Sequence, residues 1–525
     1  MTQNTFHIGL CMAGGVSAGA YTAGVVDYLI NALQRWEQHR GQSGVPSHHV
    51  QISVIGGASA GGMTGLLTAA AVQQPSSQLF QQSWVTMQDN MLRHLFNTKD
   101  LQQPGLPQSL LNAGPIEQLA NAAFLNQPKQ WQLLPNFIHP QLKLFATLTN
   151  LVGYPYPVSF KANLQQQYQM MSVHQDYACF QLSTNGQSEK GWMPLDLPSG
   201  LHAQTIRNAA LATGAFPLGL PPRTLQRPWN AILENEWMHQ TGLVLDQSST
   251  NYTSLHVDGG LMNNEPFEKV RELLDQVVLQ DNPSNTLDQS FAKFRSSVLM
   301  IDPFPTMMEK PMSLQPNMVN LVQHVLHAML QQMKANPAPM MQVLHQHHAG
   351  QFLIAPVRTI FGETVERYEG GAALACGALG GFSGLIHQLF REHDFALGQY
   401  NCEIFLKNHF TIPKQQLREH PIFSKGYANV QLNQFSADNG QAVQIIPLFV
   451  QNQRPLPWPV LRQNPIVDVQ PALQKRIGML LKNIPMSGFK KCVFNISAPL
   501  FLNRFIAAQV QHYLLKGLRK HGLMH

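Results

Sequence analysis

Hydrophobic residues in the first part of the chain come as short unbroken runs, each closed by glycine and followed by a segment of helical period. FHIGLCM, from Phe6 to Met12, predicts a strand; after a glycine loop, Ala20 to Leu33 predicts a helix. The order recurs at once. VQISVI, from Val50 to Ile55, predicts a second strand, and after another glycine loop a helix rich in alanine is expected from about Gly62 to Val72. Further buried strands are expected at Leu142 to Leu148, Leu255 to Val257 and Ser297 to Ile301, for at least five in all. Unbroken apolar strands alternating with helices predict an α/β fold, a mostly parallel sheet covered on both faces.

Past residue 305 the pattern changes. Residues 306–350 read as helices rich in Met and containing His, either a core segment or a mobile apolar cover. GGAALACGALGGFSGLI, from Gly370 to Ile386, is too short and too rich in glycine to span a membrane and predicts close packing against another element. From about Asn401 a proline-rich turn leads into terminal helices. The expected organisation is therefore a catalytic core over 6–305, a helical Met-rich segment packed on it over 306–400, and a C-terminal appendage over 401–525.

Composition narrows the function classes. With 12% charged and 44% hydrophobic residues, the 525-residue chain has the opposite of a disordered composition. Its net charge of +6 is modest, and the densest basic stretch, Lys516 to Lys520, is short, so nucleic acid is not an expected partner. Five scattered cysteines, Cys11, Cys179, Cys376, Cys402 and Cys492, lack the spacing of a zinc site or a disulfide framework. The HQHH at His345 to His348 has no further ligand at metal spacing, and neither metal nor cofactor is expected. The N-terminal segment reads as a strand and turn rather than a signal helix, and a reducing cytoplasm is the simplest compartment.

The chemistry lies in the two glycine loops, GGVSAG at Gly14 to Gly19 and GGASAG at Gly56 to Gly61. Both contain Gly-x-Ser-x-Gly, the pattern of a serine nucleophile on a sharp turn from strand to helix. Such a turn demands small neighbours. Ser59 has only glycine and alanine around it, whereas Ser17 follows the β-branched Val16 and closely precedes Tyr21, so Ser59 is the expected nucleophile. The other loop would then supply backbone N–H groups to an oxyanion. In HVDGGLMNNEP, Asp258 stands at the end of an expected strand, as the base for Ser59 or as an Asx-turn before the next helix. A Ser-His-Asp triad would need His324, His327 or His387, none of which lies in a suitable turn after a buried strand.

AGGVSAGAYTAGV at Ala13 to Val25, GASAG at Gly57 to Gly61 and DGG at Asp258 to Gly260 together resemble the patatin-like phospholipases, lipid acyl hydrolases with a Ser-Asp dyad. ALATGAFPLGLPP at Ala210 to Pro222, Asn264 and Pro266 are weaker echoes, and the resemblance covers roughly residues 6 to 305. It implies Ser59 as nucleophile, Asp258 as base, and the N–H groups of Gly14, Gly15 and Val16, with Ala60, as the oxyanion hole. The implied substrate is a phospholipid or lysophospholipid, met by peripheral contact with a membrane. One residue departs from the family pattern: Ala18 stands where a basic residue usually precedes the last glycine. That departure supports an alternative reading, a catalytically silent scaffold that binds lipid or a protein partner.

Overall fold

The computed structural model describes residues 5–74, 78–102, 106–126, 131–162, 165–239, 249–305, 349–361, 364–449, 453–483 and 503–525. The strands of the main sheet are β1 Thr5–Met12, β2 His49–Gly57, β3 Ile138–Ala162, β4 Gln165–Leu182, β5 Met193–Leu195, β6 Arg223–Pro228, β7 Asn251–Asp258, β8 Ser296–Ile301 and β9 Gln351–Ile354. The principal helices are α1 Gly19–His39, α2 Ser59–Ala71, α3 Gly114–Phe124, α4 Ala203–Thr213, α5 Phe267–Asp281, α6 Gln388–Asn408, α7 Gln470–Lys482 and α8 Asn503–Lys520. All five expected strands are present, and the first two expected helices begin earlier, at Gly19 and Ser59.

The strand order is β5-β4-β3-β2-β1-β8-β9, with β7 paired to β3 and β6 paired to β7. Pairing is parallel from β3 through β2, β1 and β8 to β9, and antiparallel for β3 with β4, β3 with β7 and β6 with β7. Buried on both faces, β1 needs no polar alternation. Phe6, Ile8, Leu10 and Met12 join the larger core cluster with α1 and α2, while Cys11 joins Val270, Leu273, Leu274 and Val277 of α5 on the opposite face. In β2 the register slips between Ile52 and Val54, so Val50, Ile52 and Ile55 share the first face while Val54 turns to the second. A bulge moves one residue to the other side of the sheet, which a strict alternation would not allow.

The antiparallel half is what the sequence pattern missed. β3 and β4 form a long hairpin whose outer part carries polar residues such as Gln169 and Ser172, so no apolar run marks its length. The other differences concern the later part of the chain. Residues 306–348, including the Met-rich segment, His324, His327 and the HQHH, lie outside the described residues, as does Cys492. Gln351–Ile354 joins the main sheet as β9, and α6 runs through position 400, so the expected boundary there falls inside a helix. α6 packs along α1 as part of the larger core cluster, with Phe390, Leu397 and Cys402 fully buried. Gly370 to Ile386 forms a series of short helical turns rather than a continuous helix. Among the described residues no helix is long and apolar enough to cross a membrane.

Candidate active site

Two strand ends meet on one edge of β3. β2 runs parallel to β3 and ends with Gly57 opposite Ala146. β7 runs the other way and ends with Asp258 opposite Leu148. Because β4 holds the other edge of β3 at Leu148 and Thr149, β7 occupies the edge that β2 has just vacated. The chain leaving β2 and the chain leaving β7 are thereby aimed at the same point.

At that point Ser59 Oγ donates a 2.6 Å hydrogen bond to Asp258 Oδ2. Ser59 has φ +49, a left-handed backbone that a non-glycine residue holds only when its surroundings enforce it. They do so here. Ser59 N–H donates to Thr213 Oγ1 at 2.9 Å, and Ala58 N–H donates to Met12 O of β1 at 3.1 Å. A Cβ on Gly61 would overlap the carbonyls of Met12 and Ala13, so only glycine lets α2 start this close to β1. Ser59 opens α2, whose N-terminus places partial positive charge beside the hydroxyl.

Asp258 is held from three sides. Its N–H donates to Ala215 O at 3.0 Å, its carbonyl accepts from Thr149 Oγ1 at 2.7 Å, and its Oδ1 accepts from Gly260 N–H at 2.7 Å. The expected Asx-type turn is thus present together with the contact to Ser59. Asp258 is only 7% exposed. Burial pushes its carboxyl up to about 6, and the hydrogen bonds from Ser59 and Gly260 act in the opposite direction. A carboxylate with that affinity is suited to taking and returning a proton near neutral pH.

The first glycine loop lies against the serine. A Cβ on Gly14 would stand 3.0 Å from Ser59 Cβ, and Asn264 Oδ1 sits beside both Gly14 and Gly260. Val16 has φ +49, a strained conformation for a β-branched residue, costing about 1–3 kcal/mol. Ser17 is 2% exposed, and its hydroxyl is bonded to a distant turn rather than to Asp258: it donates to Gly381 O at 2.5 Å and accepts from Gly384 N–H at 3.0 Å. Ala18 is fully buried. His387, one of the histidines weighed for a triad, instead caps α6, its Nδ1 accepting from Leu389 N–H at 3.1 Å.

Ser59 and Asp258 open into an apolar cavity with about 1110 Å3 of empty space, counting the part open to solvent. Along α2 it is lined by Ser59, Ala60, Met63 and Leu67, and elsewhere by Trp84, Met91, Ala120, Ala123 and Phe124 among others. From Ser59 to Leu67 is eight helical steps, about 12 Å. Its apolar lining along that length suits a hydrocarbon chain.

The sequence did not name Thr213, Thr149 or the element that the 381–384 turn packs against. Thr213 lies within the ALATGAFPLGLPP stretch, whose resemblance pointed to the right neighbourhood without naming the residue. The 381–384 turn lies within Gly370 to Ile386, whose glycines predicted close packing against another element without naming the partner, and Gly381 and Gly384 do pack closely on the first glycine loop; nothing in local pattern marked Thr149.

A mostly parallel α/β sheet with a serine on a strained turn at the end of a central strand defines a class of hydrolase-like folds. A family model described as patatin-like phospholipase matches residues 10–271. An uncharacterized protein of Sinorhizobium fredii, y4iI, is 30% identical, over 87% of this chain and 72% of its own length. Among solved structures, VipD from Legionella pneumophila aligns over 98% of this chain and 88% of that one, at 12% identity and a TM-score of 0.25. The chain belongs to the patatin-like phospholipase family.

Proposed function

We propose that the protein is a lipid acyl hydrolase in which Ser59 and Asp258 act as a catalytic dyad. The observation that carries this reading is the 2.6 Å hydrogen bond from Ser59 Oγ to a buried Asp258, made at an apolar cavity lined along α2. Ser59 Oγ attacks the ester carbonyl carbon as its proton passes to Asp258 Oδ2. The oxyanion is met by the N–H groups of Gly14, Gly15, Val16 and Ala60. Collapse breaks the ester C–O bond, the leaving alcohol takes the proton from Asp258, and the acyl group stays on Ser59. Water then gives a proton to Asp258 and attacks the acyl carbon; the fatty acid leaves, and the proton returns to Ser59.

The substrate class is a phospholipid or lysophospholipid, with its acyl chain along α2 and its head group outside. Phe216, 46% exposed, lines the cavity, and Leu218, 78% exposed, follows two residues later; exposed apolar side chains beside the cavity suit peripheral contact with a lipid surface. The competing reading is a scaffold that binds lipid without cleaving it, and it draws on Ala18, whose small buried side chain replaces a usual cation. A fluorophosphonate probe separates the two. The hydrolase reading expects wild-type protein and Ser17→Ala to be labelled and Ser59→Ala to remain unlabelled, with fatty acid released from lysophospholipid by wild type. Wild-type protein that takes no label and releases no fatty acid would leave the scaffold reading.

A further inference from the structure

The first glycine loop does not hold itself in place. Val16 keeps its left-handed backbone without the freedom of glycine, so something outside the loop must retain it. The contacts that do so come from a turn far along the chain, beyond the residues matched by the family model. Ser17 Oγ is bonded on both sides to that turn, donating to Gly381 O at 2.5 Å and accepting from Gly384 N–H at 3.0 Å. Gly381 packs on the loop so closely that a Cβ there would lie 3.3 Å from both Gly15 O and Val16 Cβ.

The turn is itself strained and clamped. Leu379, Gly380 and Gly381 have φ of +57, +66 and +95. On the inner side Asp394 accepts from the N–H groups of Ala375 and Cys376, each at 2.8 Å, Ser383 Oγ donates to Ala375 O at 2.7 Å, and Arg391 donates to Gly384 O at 2.5 Å. On the outer side α8 closes over it. A Cβ on Gly517 would overlap the Leu379 side chain, and His521 Nε2 lies 2.9 Å from Leu374 O. Phe382 and Leu385 of the same turn line the cavity that holds Ser59.

We infer that Ser17 is a positioning residue, whose hydroxyl fastens the oxyanion loop to the 381–384 turn so that the C-terminal part of the chain sets the geometry of a site whose reacting groups lie in the family domain. This rests on the proposed hydrolase reading. A hydroxyl bonded at both ends fixes the loop in one position, and preorganised donors stabilise an oxyanion only while they are fixed. A buried serine that merely filled space would influence folding but not the rate at each folded site.

The test compares full-length wild type with Ser17→Ala in two measurements. Amide hydrogen exchange should be at least about tenfold faster at residues 14–16 and 384 in Ser17→Ala, with β2 and α5 unchanged. With active sites counted by fluorophosphonate labelling, kcat per labelled site on a soluble short-chain ester should fall about tenfold with KM unchanged. Unchanged exchange at those amides would overturn the fastening. Faster exchange with unchanged kcat per labelled site would overturn the positioning role and leave Ser17 structural. Absence of labelling in wild type would defeat the hydrolase reading, and with it the catalytic part of the inference, while the exchange measurement still decides whether the hydroxyl fastens the loop. Gly384→Ala is the second variant: its methyl would stand 2.5 Å from Cys376 Sγ and 2.6 Å from Ser17 Oγ, displacing the turn from the serine, and should reproduce both effects with Ser17 intact.

Discussion

The loops at 14–19 and 56–61 differ at one residue in six, Val16 against Ala58. They leave adjacent parallel strands, β1 and β2, and each leads into a helix. Their serines nevertheless have opposite surroundings. In the second loop the left-handed residue is the serine itself, which throws Ser59 out of the turn toward Asp258. In the first loop it is the residue before the serine: Val16 takes the positive φ, and Ser17 falls within a 3-10 turn and is bonded to backbone groups of the 381–384 turn. A shift of one residue in where the backbone strain sits separates the two. The shared motif specifies a tight strand-to-helix turn, and its neighbours decide which residue bears the strain.

The largest expected effect falls on the second loop. Ser59→Ala should lower ester turnover by at least roughly 10^4-fold and abolish fluorophosphonate labelling, whereas Ser17→Ala should keep about a tenth of kcat. Labelling that survives in Ser59→Ala and vanishes in Ser17→Ala would reverse the comparison.

Asp258→Asn should come next, with turnover reduced by roughly 10^3-fold while the fold persists, because the Asn amide cannot take the Ser59 proton as the Asp258 carboxylate does. The same substitution bears on stability. A carboxyl whose affinity for protons is raised on folding contributes stability below its unfolded value, and that contribution is lost as pH rises through about 6. Above that range wild type carries a buried charge that Asn lacks, so Asp258→Asn should melt at a higher temperature than wild type at pH 8 and lose that advantage at pH 4. An Asn variant that is folded and nearly fully active would remove Asp258 from the mechanism.

A smaller effect should follow pH in the wild type. With Asp258 required in its ionised form, kcat/KM on a neutral ester should rise with pH up to about 6 and then level, so that at pH 4 it stands roughly a hundredfold lower. A profile that keeps this acid limb in Asp258→Asn would assign it to another group.

The cavity sharpens the comparison further: both serines line it, but Ser59 Oγ is bonded to Asp258 whereas Ser17 Oγ is bonded to the 381–384 turn. Ala123, 5% exposed, lines the same cavity. Ala123→Phe should reduce hydrolysis of long-chain esters relative to short ones by about tenfold, with the short-chain rate little changed, measured across a series of p-nitrophenyl esters. Equal losses on all chain lengths would show that the substitution damages packing rather than chain binding.

The sequence by itself determined the parallel half of the fold. β1, β2 and β8 are buried on both faces, and burial on both faces leaves an unbroken apolar run that local pattern reveals. It also pointed to Ser59 over Ser17, because the crowding around a strained turn is a matter of neighbouring side-chain size. Two things it left open were decided by tertiary structure. Asp258 reaches Ser59 because β7 pairs antiparallel on the edge of β3 that β2 vacates, and that pairing joins residues 199 positions apart. Ser17 is occupied because a turn 364 positions away closes over it. A local stretch fixes backbone freedom and side-chain size, but a hydrogen bond between distant segments depends on how the whole sheet is ordered and on what covers it. No hexapeptide contains that information.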